Sequence, residues 1–257
     1  MARRKMQKGI CRLCKKNTDL SFEHIPPKVA FNKYTKFRSV PFLEYAQNAH
    51  KTDYQPNAKL QQGGLGKYCL CRKCNSFLGN NYVPDYFKMS QTAKAIFQNK
   101  DFSKAFFTTR EISPLRFLKQ ILSMFVCIND PDFTDDEPEL LNFLKNPSEN
   151  NLSDKFRIFM YLNHLGQIRS LTSMYTNKYG LVNELTFPPL GFVLSINSDN
   201  SFPLTEITHF KNISIDYTDE VTYELFNLPT HLPFPVDYRT REEIDEAVRK
   251  SEKYQEE

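Results

Sequence analysis

Glycine is scarce in this chain of 257 residues, with 8 against 15 prolines. That scarcity argues against a glycine-rich linker or a repeat array. No stretch approaches the ~18 uncharged apolar residues of a membrane span. The basic start Met1-Ala2-Arg3-Arg4-Lys5 is followed by no apolar run, so it does not read as a secretory signal. The expected location is therefore cytoplasmic, where structural disulfides are rare. The six cysteines must then be metal ligands, reactive thiols or core filler. The chain also lacks a phosphate-binding P-loop. Any energy-dependent gating would have to come from a protein partner, such as an ATPase.

What is present is ordinary in bulk and uneven in distribution. Hydrophobic residues make up 40% and charged residues 25%, the balance of a soluble globular protein. Residues 1–100 carry 19 Lys and Arg against 5 Asp and Glu, a net of +14. Residues 101–257 carry 15 against 25, a net of −10. Such asymmetry points to an N-terminal half that faces nucleic acid and an acidic half suited to a protein partner. Five of the six cysteines lie in the basic half.

Cys11-Arg12-Leu13-Cys14 and Cys71-Arg72-Lys73-Cys74 are two C-x2-C pairs. Each can turn two thiolates toward one ion, and together they supply the four soft ligands of a closed tetrahedral zinc site. Cys69 competes through Cys69-Leu70-Cys71, but knuckle geometry favours Cys71 with Cys74. Cys127, in an apolar stretch, reads as core.

Periodicity divides the chain into residues 1–83 and 84–257. The first part has a basic arm, the cysteines and an elaborated loop over 31–62. Helical patterning starts near Pro84. Ser113 and Pro114 suit the cap and first position of a helix whose apolar residues run from Leu115 to Phe125. The acidic stretch 130–139 leads into a short helix around 140–144. Residues 157–162 and 167–175 suggest a hairpin across 163–166. Strands are also expected at 190–196 and 213–217, and a final helix at 240–257. The fold class expected is α+β.

Between the knuckles stands Ser21-Phe22-Glu23-His24-Ile25-Pro26-Pro27, and Asn75 follows the second knuckle. A C-x2-C pair, an acidic residue before His-Ile-x-Pro, and C-x2-C-Asn, in that order, resemble the zinc-stapled HNH (His-Me finger) endonucleases of the phage endonuclease VII type. The resemblance covers residues 11–82. It implies a ββα finger with a strand ending near Glu23-His24, a strand through 67–70 and a helix starting near Asn75. It further implies His24 as general base, Glu23 and Asn75 as ligands of a catalytic Mg²⁺ or Mn²⁺, and the four cysteines as zinc ligands. Roles in restriction, antiviral defence or mobile elements are implied in the same way. Glu23 stands where Asp is more usual in the family, the loop after His24 is long, and Asn80 and Asn81 compete with Asn75.

The chemistry can be stated from the residues alone. Phosphodiester hydrolysis needs a deprotonated water, and an imidazole with a pKa near ~6.5 is suited to accept that proton. Phosphoryl charge needs a hard cation, which carboxylate and amide oxygens can hold while leaving positions open. Lys33, Lys36, Arg38, Lys51, Lys59, Arg72 and Lys73, interleaved with Tyr34, Phe37 and Tyr54, suit phosphate contact and base stacking on DNA, with RNA as the other candidate. Gly63-Gly64 and Gly66 allow close backbone approach, either to phosphate or at the entry of a strand. The competing expectation is a catalytically inactive, zinc-stabilised nucleic-acid-binding module.

Overall fold

A computed structural model describes residues 7–38, 60–96, 104–163 and 168–226, and beyond these only positions 44, 47, 48, 58, 246 and 249. Helices and antiparallel strands are mixed, as expected of an α+β chain. β1 (Gln7–Ile10) pairs antiparallel with β2 (Asn17–His24) around the first C-x2-C turn. Lys15 closes that turn with φ 61°, and its N–H donates to the Cys11 carbonyl at 2.7 Å. Two short strands, β3 (Phe37–Arg38) and β4 (Leu60–Gln61), pair with each other. β5 (Gly66–Cys71) then pairs with the other side of β2. Cys71 caps α1 (Arg72–Asn81), its sulfur accepting from the Cys74 N–H at 3.5 Å. α2 (Val83–Ile96) follows after Tyr82, and β6 (Lys104–Thr109) after that.

α3 (Pro114–Ile128) is the spine of the molecule. Ser113 accepts from the Arg116 N–H at 3.4 Å, and Pro114 takes the first turn, where a missing N–H costs nothing. Asp85 of α2 accepts from the Ser113 N–H at 2.7 Å, which ties the two helices together. Every residue of α3 except Arg116 is buried. A helix enclosed on all sides must satisfy any polar side chain internally. Lys119 does so at the end of α4 (Pro138–Lys145), donating to the Phe143 and Asn146 carbonyls, each at 2.6 Å. Burial pushes its ammonium pKa down to about 7.

The C-terminal end of α3 is where the cysteine-rich part docks. The Arg12 guanidinium donates to the Cys127 carbonyl and lies 3.9 Å from Asp130. Lys67 donates to the Ile128 carbonyl at 3.0 Å, and Lys15 to the Pro131 carbonyl and to Asp135, the latter at 2.6 Å. Cations suit this end because its last carbonyls carry the negative pole of the helix. The acidic stretch after α3 is thus more than a solvated loop. It includes a 3-10 turn, Pro131–Thr134, and presents Asp130 and Asp135 to the basic half. The main apolar cluster runs without a break from Cys11 and Leu70 through α3 to Phe210 and Leu225.

β7 (Phe156–Leu162), β8 (Arg169–Thr176), β9 (Gly180–Phe187), β10 (Leu190–Ile196) and β11 (Thr205–Glu206) form a sheet ordered β11-β7-β10-β9-β8. β12 (Val221–Phe226) pairs back with β6. One face of the large sheet meets the helices. Phe192 of β10 lies 6.1 Å, centroid to centroid, from both Tyr86 and Phe117. The other face holds a second apolar cluster that includes Phe159, Val193 and Phe202.

Several expectations are corrected here. The hairpin between 157–162 and 167–175 does not form. β7 is buried at every position except Arg157 and takes β10 and β11 as its neighbours, whereas β8 carries exposed Ser170, Thr172 and Tyr175 and takes the edge. Buried Asn183 and Glu184 interrupt the apolar pattern of β9 and hid that strand. Residues 213–217 are not a strand. The Thr208–Asn212 3-10 turn precedes them, and the Ser214 hydroxyl accepts from the Asp216 N–H, so a local bond replaces a ladder bond. The final helix at 240–257 falls outside the described residues except for Glu246 and Arg249, both helical.

Replacing Lys119 with Met should expose how much α3 depends on its internal donor. Two enclosed carbonyls lose their partner, so stability should fall by roughly 1–3 kcal/mol. Urea denaturation reads this directly, and an unchanged midpoint would show that the ammonium is dispensable.

Candidate metal centre and adjoining carboxylate site

The two C-x2-C turns are brought face to face. The sulfurs of Cys11, Cys14, Cys71 and Cys74 all lie within 4.8 Å of one another, close enough to hold one structural metal ion such as zinc. Backbone donors support them: the Cys71 N–H points at the Cys11 sulfur at 3.3 Å. The Arg12 N–H donates to the Cys69 carbonyl at 2.9 Å, which fixes the first knuckle on β5. Burial pushes the Cys11 and Cys74 thiols up, so as bare thiols they would stay protonated. A metal that takes them as thiolates offsets that penalty. Cys69 lies in β5 outside the cluster, and Cys127 is buried in α3. None of the six cysteines forms a disulfide.

Because Cys71 and Cys74 belong to the junction of β5 and α1, the same cluster sets the first turn of α1 against β2. Asn75 of that turn donates to the Ser21 hydroxyl at 3.1 Å and also hydrogen-bonds the Glu23 side chain. Asn80 is exposed, and Asn81 bonds back to the Phe77 carbonyl of its own helix at 2.8 Å. Of the three asparagines, Asn75 is the one that faces β2. Glu23 is only partly accessible, and burial pushes its carboxyl up to about 7 despite the Asn75 bond.

His24 ends the strand and faces the other way, with Phe22. The two rings meet edge to face at 5.1 Å. The His24 Nε2 lies 3.1 Å from the Gly63 carbonyl. A carbonyl only accepts, so Nε2 carries the proton and Nδ1 is the basic nitrogen of the neutral ring. Gly64, with φ 87°, is needed for this approach. A Cβ there would stand 2.1 Å from the Asn32 carbonyl oxygen and 2.9 Å from the His24 ring. Of the glycines expected either to cradle phosphate or to open a strand, Gly66 opens β5 against Phe22, and Gly63 and Gly64 pack against the histidine.

Asn32 escaped the sequence reading. It is fully buried, and its amide donates to the Pro26 and Leu65 carbonyls at 2.7 and 2.8 Å while accepting from the Leu65 N–H at 2.7 Å. It clasps the turn after His24 to the approach of β5. An asparagine in a long polar loop carries no signal of this from sequence.

The basic residues fall into three groups. Lys33, Lys36, Arg72 and Lys73 are exposed, with the Lys33 ammonium over the Tyr34 ring at 4.7 Å. Arg38 lies in β3. Lys51 and Lys59 lie outside the described residues. Among the described residues no helix is long and apolar enough to cross a membrane. Comparison with family models, curated proteins and solved structures finds no match to this chain.

Elemental analysis should find one zinc per chain. Cys11→Ser or Cys74→Ser should lose it together with the fold of residues 7–81, because structural zinc contributes on the order of 10 kcal/mol in small modules. Cys69→Ser should retain it. A metal-free protein of unchanged fold would end the assignment.

Glu23 gives a prediction with a definite sign. Its folded pKa, about 7, lies above the ordinary 4.5. The protonated carboxyl therefore favours the fold below about pH 4.5, and that contribution is lost as pH rises through about 7. Without added divalent cation, Glu23→Gln should gain stability relative to the parent protein between pH 5 and pH 8. Denaturation at those two pH values checks it, and a pH-independent difference would show that Glu23 is not buried as a carboxylate.

Proposed function

We propose that this chain is a metal-dependent endonuclease of the His-Me finger kind, hydrolysing phosphodiester bonds in DNA. The observation that carries the reading is the end of β2. A half-buried carboxylate, Glu23, is held by Asn75 on one side of the strand, and an imidazole of defined tautomer, His24, lies on the other. In-line displacement at phosphorus puts the attacking and leaving oxygens on opposite sides. A base and a cation site on opposite faces of one strand end suit that requirement.

Glu23 and Asn75 offer hard oxygen donors, and a carboxylate whose charge is penalised by burial is relieved by a neighbouring dication. When bound there, Mg²⁺ or Mn²⁺ would neutralise phosphoryl charge and the leaving oxygen. His24 Nδ1 takes a proton from water as the water oxygen bonds to phosphorus and one ester P–O bond breaks. The Gly63 carbonyl holds the ring through this transfer and stabilises the imidazolium that results. Asn32 and Gly64 keep that carbonyl in place. The cysteine cluster, with four thiolates on its zinc, has no open position for phosphate and serves as a scaffold. Exposed Lys33, Lys36, Arg72 and Lys73 would meet the DNA backbone, and the acidic half would be left for a protein partner.

Purified protein should nick or linearise supercoiled plasmid with Mn²⁺ or Mg²⁺ and not with chelator. His24→Ala should lower the rate by ~10²-fold or more with zinc content unchanged, since it removes the proton acceptor and leaves the scaffold. Glu23→Ala should shift or abolish the metal dependence. DNA binding without His24-dependent cleavage would instead establish the inactive binding module.

A further inference from the structure

A cleft of about 370 Å³ opens beside the end of β2, between the cysteine-rich part and the edge of the large sheet. It adjoins the candidate active site through neighbours of His24, although Glu23, His24 and Asn75 do not line it. Gly66, the sheet partner of His24, lines it, and so does Ile25, the residue after His24. Its aliphatic lining is Ile25, Leu65, Ile128 and Leu185, and Lys67, whose ammonium is bonded to the Ile128 carbonyl, also borders it. The half-buried Phe37 ring forms part of the wall, and exposed Gln61, Ser170 and Thr172 supply polar groups along it. An apolar interior, one aromatic ring and a few hydrogen-bonding side chains suit a flat heteroaromatic ligand with polar edges.

The far wall is held in place. β8 breaks register between Leu171 and Met174, and Ser173 is pinned there. Its N–H donates to Asn183 at 2.8 Å and its hydroxyl to Asn129, the cap of α3, at 2.9 Å. A cleft with a fixed wall binds without paying to order it.

We propose that this cleft receives an unpaired nucleobase from the strand whose phosphodiester lies at His24, so that single-stranded or locally unpaired DNA is the preferred substrate. The inference rests on the endonuclease reading above. In a duplex the bases are stacked and paired within the helix, and only an unpaired or extruded base can enter such a site. Stacking on Phe37 would tolerate any base, whereas the hydroxyls of Ser170 and Thr172 reach its edge.

The test measures Mn²⁺-dependent cleavage of a single-stranded oligonucleotide and of the duplex of the same sequence. The full chain, Thr172→Trp, Ser170→Trp and His24→Ala are compared. The full chain should cut the single strand ~10-fold or more faster than the duplex, the size of effect expected when one base stacks. Thr172→Trp should fill the cleft and erase most of that preference while zinc content and melting temperature stay unchanged. Ser170→Trp should repeat the effect from a second exposed position. As a binding measure, His24→Ala should lose ~10-fold in affinity for a single strand when the nucleotide at the cut site is made abasic. Equal cleavage of both substrates, or a preference that survives both Trp variants, overturns the inference and leaves the nuclease reading standing. If no DNA is cut in a His24-dependent way, the nuclease reading fails and the inference fails with it.

Discussion

Four sulfurs within 4.8 Å of one another join two turns that are far apart in sequence, and most of the candidate site follows from that closure. The second turn is also the start of α1, so fixing it fixes the helix. The first turn joins β1 to β2, so fixing it fixes the strand. Asn75 then has to face Ser21 and Glu23. Without the closure, a three-stranded sheet with short partners and one ten-residue helix would have little core of its own to hold strand and helix in register.

The closure alone would leave the cysteine-rich part loosely placed on the rest of the chain. α3 resolves this because its C-terminal carbonyls are an electrostatic target well suited to cations. Arg12 from the first knuckle and Lys67 from β5 bond the carbonyls of Cys127 and Ile128, and Lys15 bonds Pro131 in the turn just beyond. The continuous apolar cluster then seals the contact. The opposite charges of the two halves are, in part, the two sides of one internal interface.

Local rules carried far in the sequence reading, and non-local ones did not. The caps Ser113 and Pro114, the apolar run of α3 and the turns at the cysteines follow from neighbours three or four residues away. Each appears in the structure at the expected place. Strand pairing depends on burial of whole strands, so β7 and β8 looked like a hairpin and instead sit apart in the sheet. β9 was missed because Glu184 is buried in company with Tyr161 and Thr186, a network a one-dimensional pattern counts as polar surface. In the candidate site, the order of motifs singles out Glu23, His24 and Asn75, and the fold brings Asn75 against Glu23. Asn32 was not legible, and for Gly64 the close approach was legible but not its partner, since these contacts exist only once the loop is folded.

The docking also changes what the charge asymmetry means for a polyanion. Arg12 is 5% exposed and its guanidinium is turned inward, so it adds to the +14 of the first hundred residues without being available to phosphate. Lys15 and Lys67 are engaged with Asp135 and Asp130. The exposed cations that are left include Lys33 and Lys36 after Asn32, and Arg72 and Lys73 on the first turn of α1, which follows the end of β5 opposite to that of Gly66 and His24. Interactions beyond about 8–10 Å are largely screened at physiological salt, so local placement outweighs net charge. The acidic half need not repel DNA from such a surface. By binding Arg12, Lys15 and Lys67 it leaves a different set of basic side chains, Lys33, Lys36, Arg72 and Lys73 among them, facing solvent.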